Sequence, residues 1–467
     1  MPSAPRLLII GLDCAEPSLV FERWHADLPH LAGLMRRGSY GRLESCIPAI
    51  TVPAWSCLFS GRDPGELGIY GFRNRADRSY QSMVIADSRM VRVPRLWDLL
   101  GQAGWRVAVI GVPGTYPPQP VNGVLVSDFL APHTGVEYTY PAHLAAQIRD
   151  RLGAYMLDVP NFRSEDKARI LRDIYTMCDQ RFTLARQIWD HDQPDLLILV
   201  EMGVDRIHHA LWKQMDPQHP LYVPNAPLAH AIYEYYCHVD RCIGELLTIC
   251  DEQTLVLVVS DHGAQPLHGG IALNEWLLAM GYLVLHQAPP SNDGRGQPLQ
   301  ADMVDWSRSR AWGAGGYYGR VFLNVQGREP NGVIPLAHYE QERRTLAAHL
   351  QALPGPDGQP LGTRVFFPQQ IYRRVRGIAP DLLVYFGDLA WRAVGTVGTG
   401  TLYTRENDTG PDDANHAQYG LFIWYDPQQP GNGQYLTGMH LYDILPTLLR
   451  RSGLPIPTDM RGKVWPW

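Results

Sequence analysis

The stretch Leu7-Leu-Ile-Ile-Gly-Leu-Asp13 is a short apolar run that ends directly in a carboxylate. A continuous apolar run of this length, bounded by a polar residue, is typical of a strand that is buried on both faces of a parallel sheet. Similar runs recur along the chain at Val107–Val112, Leu196–Val200, Leu255–Val259, Leu382–Phe386 and Leu421–Trp424. We therefore expect these runs to be buried parallel strands.

Helical patterns lie between many of these runs. They cover Pro29–Arg37, Val93–Gly101, Lys167–Trp189, Ala226–Cys250 and Tyr339–Leu353. Strands that alternate with helices predict a doubly wound α/β fold, with a mostly parallel central sheet flanked by helices on both faces. The Gly/Pro-rich stretches Gln287–Asp302 and Gly395–Asn415 lie between core elements. We therefore expect one domain over residues 1–467, with loop insertions near 285–320 and 391–415 that form a lid.

The composition excludes several classes of protein. Of the 467 residues, 45% are hydrophobic and 19% charged, which is enough apolar surface for a large core and excludes a disordered chain. The net charge is −6 and no long run of one sign occurs, so nothing indicates a nucleic-acid groove or a binding surface for an anionic membrane. We expect no membrane segment, because no run approaches the roughly 20 apolar residues that a spanning helix needs.

The cysteines and the first residues bear on the compartment. The seven cysteines are scattered without a CxxC pair, which favours buried free thiols in a reducing compartment. The apolar run after Met1 is too short for the core of a signal peptide. The sequence thus predicts a soluble, cytoplasmic protein, and it leaves open whether the chain forms a homo-oligomer.

Carboxylates and histidines follow several of the predicted strands. Asp13 follows Leu7–Leu12, Asp205 follows Leu196–Val200, and Asp261 and His262 follow Leu255–Val259. In open α/β sheets, ligands bind beyond the carboxyl ends of the strands. Carboxylates gathered at that edge would repel one another unless a cation neutralised them, so the pattern predicts a metal site. Each aspartate taken singly is better explained as a turn former or a helix N-cap, and it is the occurrence of three at equivalent places that favours a metal site.

The segment Gly203-Val-Asp-Arg-Ile-His-His209 adds a second signal. If a helix begins near Asp205, then Asp205 and His209 stand at positions i and i+4 on one face, a spacing that lets two side chains bind one ion. His208 points elsewhere on the same helix.

Thr51 is the candidate nucleophile. It lies just before Pro53, which suits the first turn of a helix, and Gly61 suits the end of that helix. The N-terminal end of a helix attracts anions through its free amides and its dipole. The Thr51 hydroxyl either caps this helix or acts as a nucleophile whose pKa a metal lowers.

Blocks of sequence along nearly the whole chain resemble the alkaline phosphatase superfamily. In particular they are similar to its type I phosphodiesterase/nucleotide pyrophosphatase branch and to bacterial predicted phosphohydrolases or phosphomutases of that superfamily. The blocks are LLIIGLDCAEP, ITVPAWSCLFSGRDPGELGIYGF, EMGVDRIHHALW, SDHGAQPLHGGIALNEWLLAMGYL, GRVFLNVQGREPNGVI, NHAQYGLFIW and LYDILPTLLRRSGLPIPTDMRGKVW. The resemblance implies that Asp13, Thr51, Asp261 and His262 hold one metal ion, and that Asp205, His209 and His416 hold the other. The assignment of His416 rests mainly on the resemblance.

The resemblance also implies a function. It predicts a two-metal phosphohydrolase, acting on a small-molecule phosphodiester or phosphomonoester through a covalent phosphothreonine at Thr51. Three Asp and three His side chains suit Zn²⁺, and Mn²⁺ also accepts such mixed ligands. The superfamily alternatives are a phosphomutase and a phosphonate hydrolase, and a different class is a metal-binding scaffold without catalysis. A sulfatase is disfavoured, because Thr51-Val-Pro leads to Ala54 and Trp55 rather than to the sulfatase arginine.

Two departures from the branch concern the substrate and the nucleophile helix. The phosphodiesterase branch usually carries an Asn where this chain has Ala54, which puts a nucleotide-type substrate in doubt. The frequent His-Gly of the branch reads Leu67-Gly68 here. Substrate-binding residues stay unassigned at this point. Trp55 and the segment Gly315-Gly-Tyr-Tyr318 are either an aromatic wall near the site or ordinary packing residues.

Overall fold

The computed structural model describes residues 6–287, 289, 296–405 and 407–466. Strands of these residues are, in chain order, β1 (Leu7–Leu12), β2 (Ser39–Glu44), β3 (Arg73–Arg75), β4 (Met83–Ile85), β5 (Val107–Ile110), β6 (Gly123–Val126), β7 (Thr139–Tyr140), β8 (Leu196–Glu201), β9 (Leu255–Val259), β10 (Gly263–Pro266), β11 (Gly269–Ala272), β12 (Gln297–Pro298), β13 (Ala311–Ala314), β14 (Gly319–Leu323), β15 (Arg364–Phe366), β16 (Leu382–Tyr385), β17 (Trp391–Val394), β18 (Thr396–Val397), β19 (Tyr403–Thr404), β20 (Ala414–Ala417), β21 (Tyr419–Tyr425), β22 (Gln434–Tyr435) and β23 (Met439–His440).

The α-helices of the same residues are α1 (Pro29–Arg37), α2 (Thr51–Ser60), α3 (Pro64–Leu67), α4 (Leu96–Gln102), α5 (Leu144–Leu152), α6 (Lys167–Asp192), α7 (Gly203–Met215), α8 (Ala231–Leu247), α9 (Leu273–Ala279), α10 (Tyr339–Gln351), α11 (Pro368–Ile371) and α12 (Ile444–Arg451). In the part of the chain that is described, no helix combines the length and the apolar character needed to cross a bilayer.

The central sheet has the strand order β22-β2-β21-β9-β1-β8-β5-β6-β7, with β23 beside β2. The strands from β9 to β6 in this order pair in parallel, whereas β21 pairs antiparallel with both β9 and β2, and β7 pairs antiparallel with β6. The predicted mostly parallel α/β sheet is therefore confirmed.

Strand β1 lies in the middle of this sheet and faces apolar packing on both sides. Leu8, Ile10 and Leu12 belong to one core, which they share with α1, α6, α7 and α8. Leu7 and Ile9 belong to a second core on the opposite face, shared with α2, α4 and α12. Helices therefore cover both faces, as the continuous apolar run predicts.

Two predicted parallel strands are antiparallel in the structure, and one of them lies in another sheet. Leu382–Tyr385 forms β16 of a separate antiparallel sheet with the order β13-β14-β16-β15. The predicted Leu421–Trp424 lies within β21, at the antiparallel side of the central sheet. Both predictions of parallel pairing are wrong for the same physical reason: burial on both faces produces a continuous apolar run, whichever sheet or direction the strand takes.

The ranges predicted as insertions contain regular structure. Residues 285–320 include β12 and β13, and residues 391–415 include β17, β18 and β19. Residues 288, 290–295 and 406 of these ranges lie outside the described residues. The separate sheet has its own apolar core, which includes Trp312, Phe322 and Leu382.

Candidate metal centre

The candidate ligands come together at the carboxyl ends of the central parallel strands. Asp13 follows β1, and its amide donates to the Glu201 carbonyl oxygen at the end of β8 (3.0 Å). Asp205 lies in the first turn of α7, which follows β8, and Asp261 and His262 connect β9 to β10. The residues brought together, all of them buried, are Asp13, Thr51, Asp205, His209, Asp261, His262 and His416.

One group of side chains consists of Asp13, Asp261 and His262. The Nε2 atom of His262 lies 3.2 Å from Oδ2 of Asp261 and 3.9 Å from Oδ1 of Asp13. The Oγ1 atom of Thr51 lies 3.4 Å from the same Nε2 atom. These side chains are the four that the resemblance assigns to one metal ion.

The second group consists of Asp205, His209 and His416. The Nε2 atoms of His209 and His416 lie 3.2 and 3.5 Å from Oδ1 of Asp205. The two Nε2 atoms are 3.4 Å apart. The spacing i and i+4 on α7 thus brings Asp205 and His209 to one point, as the sequence pattern suggested.

His416 reaches this group through strand pairing. Strands β10 and β20 pair antiparallel in a register that sets Ala264 opposite His416. Because β10 begins one residue after His262, this register stacks the two imidazoles with their centroids 3.8 Å apart. The pairing therefore joins the two groups of ligands into one centre.

The carboxylates of both groups are arranged as metal ligands. In each, one oxygen accepts a hydrogen bond: Asp13 from Trp55 Nε1 (2.6 Å), Asp205 from Arg206, and Asp261 from the amide of Cys14 (3.3 Å). The other oxygen of each, namely Oδ1 of Asp13, Oδ1 of Asp205 and Oδ2 of Asp261, is buried without a hydrogen-bond partner. Buried polar atoms are normally paired, so these oxygens fit a cation.

The three imidazoles are also oriented as metal ligands, each with an acceptor at Nδ1. In His209, Nδ1 lies 2.6 Å from Oδ1 of Asp412. In His262, Nδ1 lies 3.1 Å from the carbonyl oxygen of Gly263, and in His416 it lies 3.1 Å from the carbonyl oxygen of Ala49. An acceptor at Nδ1 fixes the proton there and leaves Nε2 free to bind a metal ion. The residues present therefore fit two cations.

The electrostatic environment of the centre disfavours ionised carboxylates unless positive charge lies nearby. Burial, and then the nearby Asp205 carboxylate, raise the pKa of Asp13 well above its ordinary value. Burial, and then Asp13, raise the pKa of Asp261 in the same way. Burial also lowers the pKa of His262, with the neighbouring His416 adding to the effect. Ionised carboxylates at these positions are costly until a cation neutralises them.

Thr51 does not cap its helix. Helix α2 begins at Thr51 and its N-cap residue is Ile50, which provides no side-chain cap. The capping alternative for Thr51 is therefore wrong, and its hydroxyl instead faces His262. Pro53 lies in the first turn and Gly61 ends the helix in a left-handed conformation (φ 65°), as the pattern predicted.

The aromatic residues near the site have different contacts. Trp55 is fully buried and donates to Asp13, so it positions a candidate ligand and does not form a substrate wall. Tyr317 stacks on His416 with ring centroids 4.1 Å apart, and on His209 at 5.1 Å. His208 points away from the ligands, toward the hydroxyl of Tyr236 (3.2 Å).

Sequence reasoning missed Asp412 and Arg206, which hold His209 and Asp205 in place. Arg206 is adjacent to Asp205, and Asp412 lies four residues before His416. Proximity to a ligand in the sequence was therefore the available signal in both cases. Neither residue type forms a spacing pattern that identifies such a supporting role.

The chain is similar to known proteins in both sequence and fold. The family of type I phosphodiesterases/nucleotide pyrophosphatases matches residues 7–412. No match was found among curated proteins.

Solved structures share the fold over nearly the whole chain. Phosphonoacetate hydrolase from Sinorhizobium meliloti 1021 is 18% identical in its complex with phosphonoacetate, with a TM-score of 0.60 over 97% of this chain and 96% of that chain. Its complex with phosphonoformate gives a TM-score of 0.58 at the same identity and coverage. Human ectonucleotide pyrophosphatase/phosphodiesterase 5 is 13% identical, with a TM-score of 0.56 over 98% of this chain and 97% of that chain. At these identities the likeness establishes the fold.

Proposed function

This chain belongs to the type I phosphodiesterase/nucleotide pyrophosphatase family of the alkaline phosphatase superfamily, and from that premise we propose that it hydrolyses phosphate esters with Thr51 as its nucleophile. The family itself indicates a phosphoester hydrolase. The observation that carries the finer proposal is the set of three buried, unpartnered carboxylate oxygens that surround the Nε2 atoms of His209, His262 and His416 beside Thr51. Such a donor set supports two divalent cations.

The donor types favour Zn²⁺, with Mn²⁺ as the second choice, because imidazole nitrogens and carboxylate oxygens suit both ions. Asp13, Thr51, Asp261 and His262 would hold one ion, and Asp205, His209 and His416 the other. When bound, the two ions supply positive charge that favours an ionised Thr51 hydroxyl and stabilises the charge on the transferring phosphoryl group.

The chain's own residues perform two displacements at phosphorus. In the first, Oγ1 of Thr51 forms a bond to phosphorus, the bond to the leaving oxygen breaks, and that oxygen takes up a proton. In the second, water attacks phosphorus, the bond to Oγ1 breaks, and a proton from the water returns to Thr51. The position of Thr51 at the start of α2 supports this role, since the first amides of a helix have no intrahelical partner and favour an anion.

The test is turnover of aryl phosphate esters by purified protein loaded with zinc or manganese. Bis(4-nitrophenyl) phosphate and 4-nitrophenyl phosphate distinguish a diesterase from a monoesterase. Thr51→Ala is expected to lower kcat by roughly 10³-fold or more, because removal of a nucleophile removes the covalent route. Mass spectrometry of acid-quenched wild-type protein is expected to detect phosphate on the peptide that contains Thr51.

Ser60→Ala is the matched control in the same helix. The Ser60 hydroxyl donates only to the Ser56 carbonyl oxygen (2.6 Å), away from the ligands. This variant should retain wild-type turnover. Equal turnover in Thr51→Ala and Ser60→Ala would remove Thr51 as the nucleophile. Cleavage of a phosphonate but of neither ester would replace ester hydrolysis with phosphonate hydrolysis.

A further inference from the structure

A cavity of about 890 Å³ adjoins the metal centre. Its wall includes Ile50, which precedes Thr51, and Arg206, which holds Asp205. Tyr317, stacked on His416, also lines it. A substrate whose phosphoryl group reaches Thr51 therefore extends its remaining part into this space.

The charged lining of the cavity is dominated by arginine. Six arginines line it: Arg73, Arg75, Arg163, Arg206, Arg320 and Arg392. Four of these form ion pairs, Arg75 with Glu329 (3.2 Å), Arg163 with Asp412 (3.1 Å), Arg206 with Asp158 (2.7 Å) and Arg392 with Asp408 (3.2 Å). Their charge is thus already compensated within the protein.

Arg320 and Arg73 differ from these four. Arg320 donates only to backbone, to the carbonyl oxygens of Arg73 and of Gly315 (3.2 Å). Among the described residues, no carboxylate lies within ion-pair distance of either guanidinium group. Burial, with the like charge of Arg73 adding to it, lowers the pKa of Arg320 below its ordinary value. Two neighbouring cations without a counterion leave uncompensated positive charge on the cavity wall.

Aromatic rings cover another part of the same wall. Tyr80 and Trp306 stack with their centroids 3.5 Å apart, and Trp312 meets both rings edge-on. All three line the cavity. This surface suits the apolar body of a ligand, whereas the arginines suit an anion at one of its ends.

We propose that Arg320 and Arg73 bind a second anionic group of the substrate, a carboxylate or a phosphate, on the part that extends away from the reacting phosphorus. The substrate class is a phosphate ester whose alcohol portion carries this additional negative charge. The proposal rests on the proposed function for the position of the reacting phosphoryl group. Guanidinium groups bind both anions through paired N–H donors, which explains why arginines serve here.

The experiment compares matched substrates. 4-Carboxyphenyl phosphate and 4-carbamoylphenyl phosphate have the same shape but differ in charge, and 1,4-phenylene bisphosphate replaces the carboxylate with a phosphate. Wild-type protein is expected to favour an anionic member over the neutral one in kcat/KM by roughly tenfold or more, in line with hydrogen bonds to charged groups. The better of the two anionic substrates identifies the source of the charge.

The variants are Arg320→Gln, Arg320→Lys and Arg73→Gln. Arg320→Gln is expected to lower kcat/KM for the anionic substrates roughly tenfold, mainly through KM, and to leave the neutral substrate unchanged, whereas Arg320→Lys retains part of the preference. Arg73 is exposed, so Arg73→Gln tests the same subsite even if Arg320→Gln fails to fold. Arg344→Gln, at an exposed position of α10, is the control.

Binding separates failure of this proposal from failure of the proposed function. Calorimetry measures the affinity of 4-carboxyphenylphosphonate and its carbamoyl analogue for the same variants, without turnover. Anion-selective binding that is lost in Arg320→Gln supports the subsite even if no ester is hydrolysed. The opposite outcome is ester hydrolysis in which wild type and variants have equal kcat/KM and equal affinity for the charged and the neutral compounds. That outcome overturns the anion subsite but leaves the proposed hydrolase activity intact.

Discussion

Asp412 illustrates how single residues outside the ligand set shape the centre. Its Oδ1 atom lies 2.6 Å from Nδ1 of His209, and its Oδ2 atom pairs with Arg163 (3.1 Å). Although burial opposes it, the charges of His209 and Arg163 lower the pKa of Asp412 below its ordinary value. An ionised Asp412 therefore fixes both the ring orientation and the protonated nitrogen of His209.

We predict that Asp412→Asn weakens the metal site held by His209. The amide that replaces the carboxylate removes the negative charge facing Nδ1, so turnover and metal affinity should each fall by about 10- to 100-fold. Turnover in a zinc titration measures both quantities. Asp413→Asn is the control, because the Asp413 side chain pairs with Lys213 (3.1 Å) rather than with a ligand. Equal zinc dependence in the two variants would contradict a role for Asp412.

At this scale the sequence predicts ligands better than it predicts their supports. Asp13, Asp205 and Asp261 follow strand ends, and strand ends can be recognised from apolar runs. His416 precedes the predicted strand Leu421–Trp424, so only the resemblance indicated it. The β10–β20 register that delivers it depends on pairing between residues about 150 positions apart. The hydrogen bond from Trp55 to Asp13 could not be predicted from the sequence, because a tryptophan in an apolar helix is equally typical of core packing.

Among the elements, β1 and α2 pack closely enough to make the centre sensitive to one methyl group. A Cβ atom on Gly11 would lie 2.5 Å from Cη2 of Trp55 and 2.8 Å from Cγ2 of Val200. Trp55 in turn holds Asp13. The absence of a side chain at Gly11 therefore allows the α2 indole to lie against the strand and reach the ligand that follows it.

We predict that Gly11→Ala lowers the free energy of unfolding by about 1–3 kcal/mol, because the added methyl group overpacks the contact between strand and helix. Displacement of Trp55 should also reduce turnover. Urea unfolding and an ester assay measure the two effects. Gly33→Ala in α1 is the control, since its nearest new contact is Arg36 at 3.7 Å, and alanine in a helix is more stable than glycine by roughly 0.5–1 kcal/mol. Similar stability of the two variants would contradict the overpacking.

The turn before α12 carries a titratable cap. Nδ1 of His440 accepts a hydrogen bond from the amide of Tyr442 (3.2 Å), which requires the neutral ring. Burial, opposed in part by Asp443, lowers the pKa of His440 from 6.5 to about 4. As pH falls, the unfolded chain takes up this proton first. The stabilisation is therefore complete above pH 6.5 and is lost as pH falls to about 4.

We predict that the free energy of unfolding falls by up to about 3 kcal/mol from this group as pH is lowered from 7 to 4. His440→Asn keeps an acceptor for the Tyr442 amide but does not titrate, so it should show a correspondingly smaller loss. Urea unfolding at a series of pH values measures the difference between wild type and variant. Parallel pH profiles for the two proteins would show that His440 is not the titrating group.

Element types were more predictable than their partners. The bounds of β1, β9 and α1 agree with the apolar runs and helical periodicity from which they were predicted. The placement of Leu382–Tyr385 in a separate sheet was not predictable, because its residues are covered on both faces just as a central strand is. Local periodicity reports burial, whereas sheet membership depends on contacts between distant parts of the chain.

At the scale of the whole molecule, the centre joins distant parts of the chain. Asp13 lies near the start of the family match at residues 7–412, and His416 lies just after its end. The candidate ligands run from Asp13, directly after β1, to His416 on β20. Three buried carboxylates without a hydrogen-bond partner on one oxygen repel one another when no cation is bound. Cations should therefore stabilise the packing of the whole chain as well as serve catalysis.

We predict that chelation by EDTA or dipicolinate abolishes turnover and lowers the Tm, and that zinc restores both. A ligand present at a thousand times its Kd stabilises the folded state by about 4 kcal/mol, so two sites give a readily measured shift. Metal analysis of the wild-type protein should find two ions per chain. The Asp205→Asn protein should bind one ion fewer, and calorimetry should show that it loses part of the zinc-dependent rise in Tm. The Asp413→Asn protein should behave as wild type, because Asp413 lies outside the ligand set. An unchanged Tm after complete chelation would mean that the buried carboxylates are neutralised by protons rather than by metal, and the two-cation centre would then be rejected.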